Sequence, residues 1–398
     1  MSTAGVDDGA ILDAAGRDAP QRFFWRGPRF ITEIFDGADE ALAALEAVQG
    51  GLTSMGFQTL DWLTVLYEEL APSQRAMPRL VVVTERNSGQ IALILPLLIK
   101  KKRTLTVARF ADLGVSDYGG PVLGPARLKK PRSIRRVWRA IRKALWDVDL
   151  IRLERMPADI GGRPNPLITR GGITPARRPG NLLVIPDTVE EYLGGLGKKY
   201  CKEVERCNRL WEKEGAPRFY RAMDTETIAR VYSVHEEQVD ARHAALGGKN
   251  ILDDPAYLTF YERLAMDGSE AGLAAVFALE ANGEIIATLF GIVHDGTFTL
   301  LRISTDGKVS GYLSPGRLIV VEAMKHFVAQ GVRRFDMGVG EHPLMHGFGV
   351  QDVPLYDLIV ARRLVALPRA MFHRVEGRLR ENKLVRAAFG RAKPRAGH

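Results

Sequence analysis

The sequence predicts an α/β (α+β) protein built from two similar domains, each a mixed twisted sheet flanked by helices. Three observations point there. The order strand, strand, strand, loop, helix, strand occurs twice along the chain with comparable spacing. The length, 398 residues, is long for one domain and suits two or three. Hydrophobic residues make up 46% and charged residues 26%, an ordinary balance for a chain that buries a sizeable core. The two halves share no evident sequence identity, so the repeat is one of pattern.

Residues 1–27 are rich in Ala, Gly and Asp without periodicity and read as a loose leader. The first domain is expected over 28–180. A helix is predicted from Gln58 to Leu70, where Leu60, Leu63, Val65, Leu66 and Leu70 recur at near-helical spacing and Ala71-Pro72 supplies the stop. Strands follow at Leu80–Thr84 and Ile91–Ile99, flanking an Asn87-Ser88-Gly89 turn, and at Thr104–Phe110. Then come a Gly-rich loop from Gly114 to Gly124, a basic helix over Ser133–Trp146 and a strand over Asp149–Glu154.

The second domain is expected over 181–360. It opens with a helical region from Thr188 to Asp267, interrupted at Leu246-Gly247-Gly248. Ala274–Leu279 and Glu284–Val293 flank Asn282-Gly283, a strong hairpin signal because both turn positions favour these residues at positive φ. A third strand, Thr297–Ile303, follows Asp295-Gly296. A loop over Ser304–Leu313 leads to a helix, Pro315–Gln330, and a strand, Val332–Met337. Residues 361–398 form a basic tail.

Several classes are excluded. The longest apolar run, Ile91–Ile99, is nine residues long and contains Pro96, too short to cross a bilayer. The N-terminal residues lack the basic start and apolar stretch of a secretory signal, so a cytoplasmic protein is expected. Cys201 and Cys207 have no His or Cys at metal-ligand spacing and read as free thiols, with no metal. The net charge of +9 is carried by the tail, where 11 Lys/Arg against 2 Glu gives 11 − 2 = +9; the rest of the chain balances. Arg127–Lys143 adds nine Lys/Arg and no acid. Such runs either form solvated helix faces or attract tRNA, anionic lipid head groups or nucleotides.

The chemistry concentrates in Thr297–Gly349. Ser314 suits an N-cap, Pro315 the first helical position and Gly331 the residue past the end. Leu318, Val321, Met324, Phe327 and Val328 give this helix an apolar face, which leaves His326 on the water side. The free N–H groups and dipole at the helix start favour an anion, Gly316 lets a ligand approach, and Arg317 adds positive charge. The alternative is that Ser-Pro-Gly is simply an efficient helix start. Downstream, Asp336 stands in an apolar strand before Gly338 and Gly340. A carboxylate there can act as a general base or tie down a neighbouring loop. Glu341, His342 and His346 are further acid/base groups without distinguishing spacing.

The run Asp306…Tyr312-Leu313-Ser314-Pro315-Gly316, an amphipathic helix, then Phe335-Asp336-Met337-Gly338-x-Gly340 resembles the tandem GNAT acetyltransferases related to the Fem peptidyltransferases. The CelD-type branch, encoded with cellulose or exopolysaccharide synthesis, looks most similar. Tyr192 to Lys199, then Glu205 to Leu210 and Gly215, resembles the basic helix that opens that family's second domain. His235 and Arg242 match positions where the branch tends to carry a His and an Arg. The chain departs from the pattern after Gly340. A Tyr-Lys pair is replaced by Leu344-Met345, although the aromatic residue is kept at Phe348.

The resemblance implies two GNAT-like domains and a transferase that uses acetyl-CoA or another acyl-CoA. The pyrophosphate would sit at Ser314, Pro315, Gly316 and Arg317. The thioester would lie against the strand at Ile303, and a small-molecule or glycan amine would be the acceptor. It implies Asp306, Tyr312 and Asp336 as catalytic candidates, with Tyr312 the acid, and His235 and Arg242 as substrate contacts. Two alternatives accompany it. One is transfer from aminoacyl-tRNA, favoured by the basic runs but lacking a long coiled-coil insertion. The other is a non-catalytic partner of a membrane-bound polysaccharide synthase. In that case Met371, Phe372, Val375 and Leu379, a helical stripe among arginines, would give weak membrane-surface association.

Overall fold

The computed structural model describes residues 24–26, 29–48, 50–102, 104–168, 172–246, 251–340, 345 and 347–391. Along the first half run β1 (Phe24–Arg26), β2 (Phe30–Asp36), α1 (Ala38–Glu46), α2 (Leu60–Val65) and α3 (Ala71–Ser73). They are followed by β3 (Met77–Glu85), β4 (Ile91–Lys102), β5 (Leu105–Phe110), β6 (Val122–Leu123), α4 (Pro131–Ala144) and β7 (Leu150–Pro157). A small hairpin of β8 (Asp159–Ile160) and β9 (Arg163–Pro164) precedes β10 (Ile173–Pro175).

The second half opens with β11 (Gly180–Val184), α5 (Val189–Gly194), α6 (Lys198–Trp211) and β12 (Arg218–Ala222). Then come α7 (Thr225–Leu246), α8 (Pro255–Glu270), β13 (Ala274–Ala281), β14 (Glu284–His294) and β15 (Thr297–Thr305). The chain continues through α9 (Gly307–Leu313), α10 (Pro315–Ala329), β16 (Arg334–Val339), β17 (Gln351–Val353), β18 (Leu355–Ala361) and α11 (Leu367–Arg391).

Two mixed sheets flanked by helices result. The first has the order β1-β2-β3-β4-β5-β7-β18-β10, with β6 also on β4; the second is β12-β13-β14-β15-β16-β11-β17. Each contains one parallel pair, β5 with β7 and β15 with β16, made when a helix carries the chain back across the sheet. The apolar run of β4 is buried on both faces, which explains its lack of alternation. Pro96 sits where one edge of β4 passes from pairing β6, at Leu93 and Ile94, to pairing β5 from Leu97 onward. A missing N–H costs least at such a change of partner.

The halves exchange strands. β11 leaves the first half to pair antiparallel with β16, and β18 returns from the second half to pair antiparallel with β7. Sheet membership therefore does not divide at 180/181: residues 355–361 complete the first sheet, and α11 packs on β10 and β18. The exchange draws the sheets together over one apolar core, in which Trp62, Leu66 and Tyr118 join Phe260, Leu264 and Phe290. A second core lies between the other face of the second sheet and α10, and a third beneath α4.

Local expectations are met unevenly. Asn282 and Gly283, and Asp295 and Gly296, all take the positive φ that their hairpin turns require. The helix expected to stop at Ala71-Pro72 instead passes through a π turn, Leu66–Leu70, into α3, with Pro72 in its first turn, where a missing N–H is tolerated. Ser304–Leu313, expected as a loop, carries the end of β15 and the whole of α9. His326 is half-buried, its ring edge-on to Phe277 at 5.1 Å, rather than on the water side. No helix among the described residues is long and apolar enough to cross a membrane.

Candidate functional site

β15 and β16 pair only at Thr297↔Arg334, Phe298↔Phe335 and Thr299↔Asp336, and then separate. A bulge causes the divergence. Phe290 faces Arg302 while Gly291 faces Leu300, so Leu301 is the extra residue and bends β15 away. Gly291 is needed there because a Cβ would enter the Phe298 ring and the Thr299 carbonyl. The opening is a cleft of about 280 Å³ whose walls include Leu300, Ile303, Met337 and Met345, with Asp117, Arg178 and Arg302 at its polar end.

Asp117 arrives from the first half of the chain. It lies over Gly338, where a Cβ would meet its Oδ2 at 2.5 Å, and it accepts the Val339 N–H. Gly338 has φ 78°, so glycine is required there both for conformation and for space. Burial pushes the Asp117 carboxyl up to about 6, against the opposing pull of Arg155 and the Val339 N–H.

Arg302 is held from behind. Its Nε donates to His235 Nε2 at 3.0 Å, and its guanidinium stacks on the Tyr261 ring at 4.9 Å. Burial, then the Arg302 charge, pushes His235 down to about 3, so its ring is neutral at physiological pH. Because Nε2 accepts, Nδ1 carries the proton and donates to Thr288 Oγ1 at 2.6 Å. Thr288 then bonds Ser304, Ser304 donates to Gln238 Oε1, and Gln238 Nε2 donates to the Ile285 carbonyl. Each polar atom in this chain has a partner, which fixes the direction of Arg302.

Behind the cleft, on the face towards the first sheet, is a cavity of about 220 Å³ lined by residues including Tyr118, His294, Thr299, Arg334 and Asp336. Asp336 is buried, and its Oδ1 accepts both the Tyr118 hydroxyl and the Gly338 N–H at 2.8 Å. Burial raises it to about 7, and Asp117 adds to the rise. A raised carboxyl stabilises the fold below its unfolded value near 4, and that contribution is lost as pH climbs through 7. Asp336→Asn keeps an acceptor for Tyr118 and cannot ionise. Its melting temperature is expected to fall less than wild type between pH 5 and pH 8, with about 1–3 kcal/mol in its favour at pH 8. Identical pH dependence in the two proteins would refute this assignment.

The residues predicted from sequence are dispersed. Asp306 caps α9, accepting the Lys308 N–H at 2.8 Å. Tyr312 is exposed on α9, its hydroxyl 3.3 Å from Glu214, so it does not meet Asp336 on the far side of the sheet. Ile303 lines the cleft. Ser314 makes no side-chain cap; it adopts a left-handed conformation (φ 50°) that joins α9 to α10. Pro315 and Gly316 open α10, leaving the Gly316 N–H without an intrahelical acceptor. Arg317 is already engaged, 3.4 Å from Glu203 and stacked on Tyr200 at 5.1 Å, so it contributes no bare charge. His235 reaches the cleft only through Arg302, and Arg242 is exposed on α7. Glu341, His342, Leu344 and His346 lie outside the described residues. Asp117, Arg178 and Arg302, the charged groups that line the cleft, were not anticipated. The one local signal was a carboxylate set among glycines in Gly114–Gly124.

Residues 198–344 match the family profile described as acetyltransferase (GNAT) domain. Among solved structures, the chain is similar to FemX, at 12% identity over 83% of this chain and 98% of that one, with a TM-score of 0.55. Other similar structures are L-PGS from Bacillus licheniformis (15% identity, 85% and 95% covered, TM-score 0.46) and a tandem GNAT protein from the clavulanic acid biosynthesis pathway (12%, 83% and 98%, 0.42). No curated protein matches in sequence. Residues 198–344 are thus similar in sequence to GNAT-type acetyltransferase domains, and the FemX likeness is one of fold.

Proposed function

We propose that the protein is an acyl-CoA-dependent N-acyltransferase, with acetyl-CoA the expected donor and an amine or amino sugar of polysaccharide assembly the acceptor. The observation that carries this reading is the cleft opened where β15 parts from β16 beyond Thr299↔Asp336, within the stretch that matches the acetyltransferase profile. Its chemistry fits the donor. The unpaired edge of β15 offers backbone groups to an extended arm bearing amides, as an added strand would use them. Leu300, Ile303 and Met337 supply an apolar wall, and the Gly316 N–H at the start of α10 suits a phosphate. The amino-sugar acceptor rests on the family resemblance, and the polar end of the cleft is compatible with it.

The acceptor nitrogen attacks the thioester carbonyl carbon, the amide bond forms and the C–S bond breaks. The amine releases one proton and the departing thiolate takes one up. Asp117, largely ionised near neutrality, is positioned to receive the amine proton. Arg302 is a fixed cation for an anionic group on the acceptor or for charge developing on the carbonyl oxygen.

Isothermal titration with acetyl-CoA tests the donor directly. A dissociation constant in the range of about 1 µM to 1 mM is expected for wild type. Ile303→Arg, which fills the cleft, should abolish the heat signal. Absence of binding by wild type at millimolar concentrations would sink the proposal.

A further inference from the structure

Helix α11 and the turn just before it are packed against the first sheet by a seam of small residues. Ala366 and Ala370 are buried beside Ile359 and Leu150, and a Cβ on Gly377 would strike Thr174. At 100° per residue, Met371, Phe372, Val375 and Leu379 point away from that seam. All four are more than half exposed, as are Leu364 and Val365 just before the helix. An apolar surface of this extent, held outward by a helix already docked on its other side, serves no internal packing.

Its surroundings are basic. Arg374 and Arg378 lie along one flank of the stripe and Arg369 along the other, all exposed. Residues 361–398 carry 11 Lys/Arg against 2 Glu. Arg362 donates to the Arg142 carbonyl near the end of α4, which brings a second basic element to the start of the stripe. The outer face of α4 presents Arg132, Arg135, Arg136 and Arg139 to solvent, and Trp146, just beyond its end, is 58% exposed.

We infer that α11 is a membrane-interface helix, seating this face of the protein on an anionic lipid bilayer. The apolar stripe has Arg374 and Arg378 on one border and Glu376 and Arg369 on the other. With the arginines of α4 it matches the headgroup boundary, apolar side chains entering the acyl region and cations meeting lipid phosphates. The exposed Trp146 has the amphipathic character favoured at that depth. A second copy of the chain fits worse, because pairing two such faces would oppose arginine to arginine. This inference is independent of the acyltransferase reading.

The experiment is co-sedimentation of the full chain with vesicles of phosphatidylcholine containing about a third phosphatidylglycerol. Wild type is expected to bind at low salt and to lose affinity by at least tenfold on phosphatidylcholine alone. Met371→Ser, Phe372→Ser, Val375→Ser and Leu379→Ser combined should reduce binding at least tenfold with an unchanged melting temperature, since none of the four is buried. Arg374→Glu with Arg378→Glu should do the same and flatten the salt dependence. Failure of wild type to sediment would overturn the inference, as would binding that survives the quadruple substitution. So would a dimer, seen by sedimentation velocity and dispersed by the same substitutions, without vesicle binding.

Discussion

Asp117→Asn is expected to lower kcat by about 10²–10³-fold while leaving acetyl-CoA affinity within about twofold. The amide keeps the shape and one acceptor for the Val339 N–H, so Gly338 keeps its neighbour and the cleft its outline. What disappears is the only carboxylate lining the cleft among the described residues. The sign of the pH effect follows from its raised value of about 6. In wild type the ionised base accumulates as pH rises, so kcat/KM should climb through pH 6. In Asp117→Asn that limb should vanish, leaving only the slope set by the acceptor amine. A full-rate Asn variant, or a profile that keeps its limb near pH 6, would remove Asp117 from the chemistry.

The largest expected loss of stability is at Trp62. Its side chain is fully buried, edge-on to Phe57 at 4.9 Å and to Phe260 at 5.4 Å, where α2 of the first half meets α8 of the second. Trp62→Ala should cost about 3–5 kcal/mol, because the surrounding side chains belong to both halves of the chain and cannot collapse around the void. That corresponds to roughly 5 °C in melting temperature for a chain of this size. Among the described residues the indole N–H finds no acceptor. Trp62→Phe therefore sheds an unsatisfied donor along with some volume, and should stay within about 1.5 kcal/mol of wild type. Both variants should melt in one calorimetric transition, since one core joins the halves. Two resolved transitions in Trp62→Ala would refute that continuity.

Sequence was informative where structure is local. The Asn282-Gly283 and Asp295-Gly296 turns, the apolar stripe of α10 and its stop at Gly331 (φ 80°) depend on neighbours a few residues apart. The repeated strand and helix order follows from those units. Partnership was not legible, because β11 and β18 are short apolar segments that suit either sheet, and their pairing is decided by contacts across the whole chain. The site divides the same way. Ile303 lines the cleft, and that strand was legible because a strand followed by a helix start has a recognisable pattern. Asp117 was missed because a loop carboxylate acquires a role only from what it overlies. Its neighbour Tyr118 meets Asp336 from 218 positions away. Asp336 was singled out as a buried strand carboxylate, and its bond to Tyr118 across the two halves is the loop-holding alternative that pattern allowed.

The exchange of β11 and β18 sets a timetable for synthesis. β7 ends at Pro157 and its neighbour β18 begins at Leu355, so roughly 200 residues must be made before the first sheet can close. At ordinary translation speeds that interval is on the order of 10–40 s. Throughout it, the free edge of β7 presents unpaired N–H and C=O groups to any strand it meets. The nascent chain is thus most vulnerable to mispairing late in translation. A polypeptide cut short before Leu355 would keep that edge open permanently, even with every residue of its first half present.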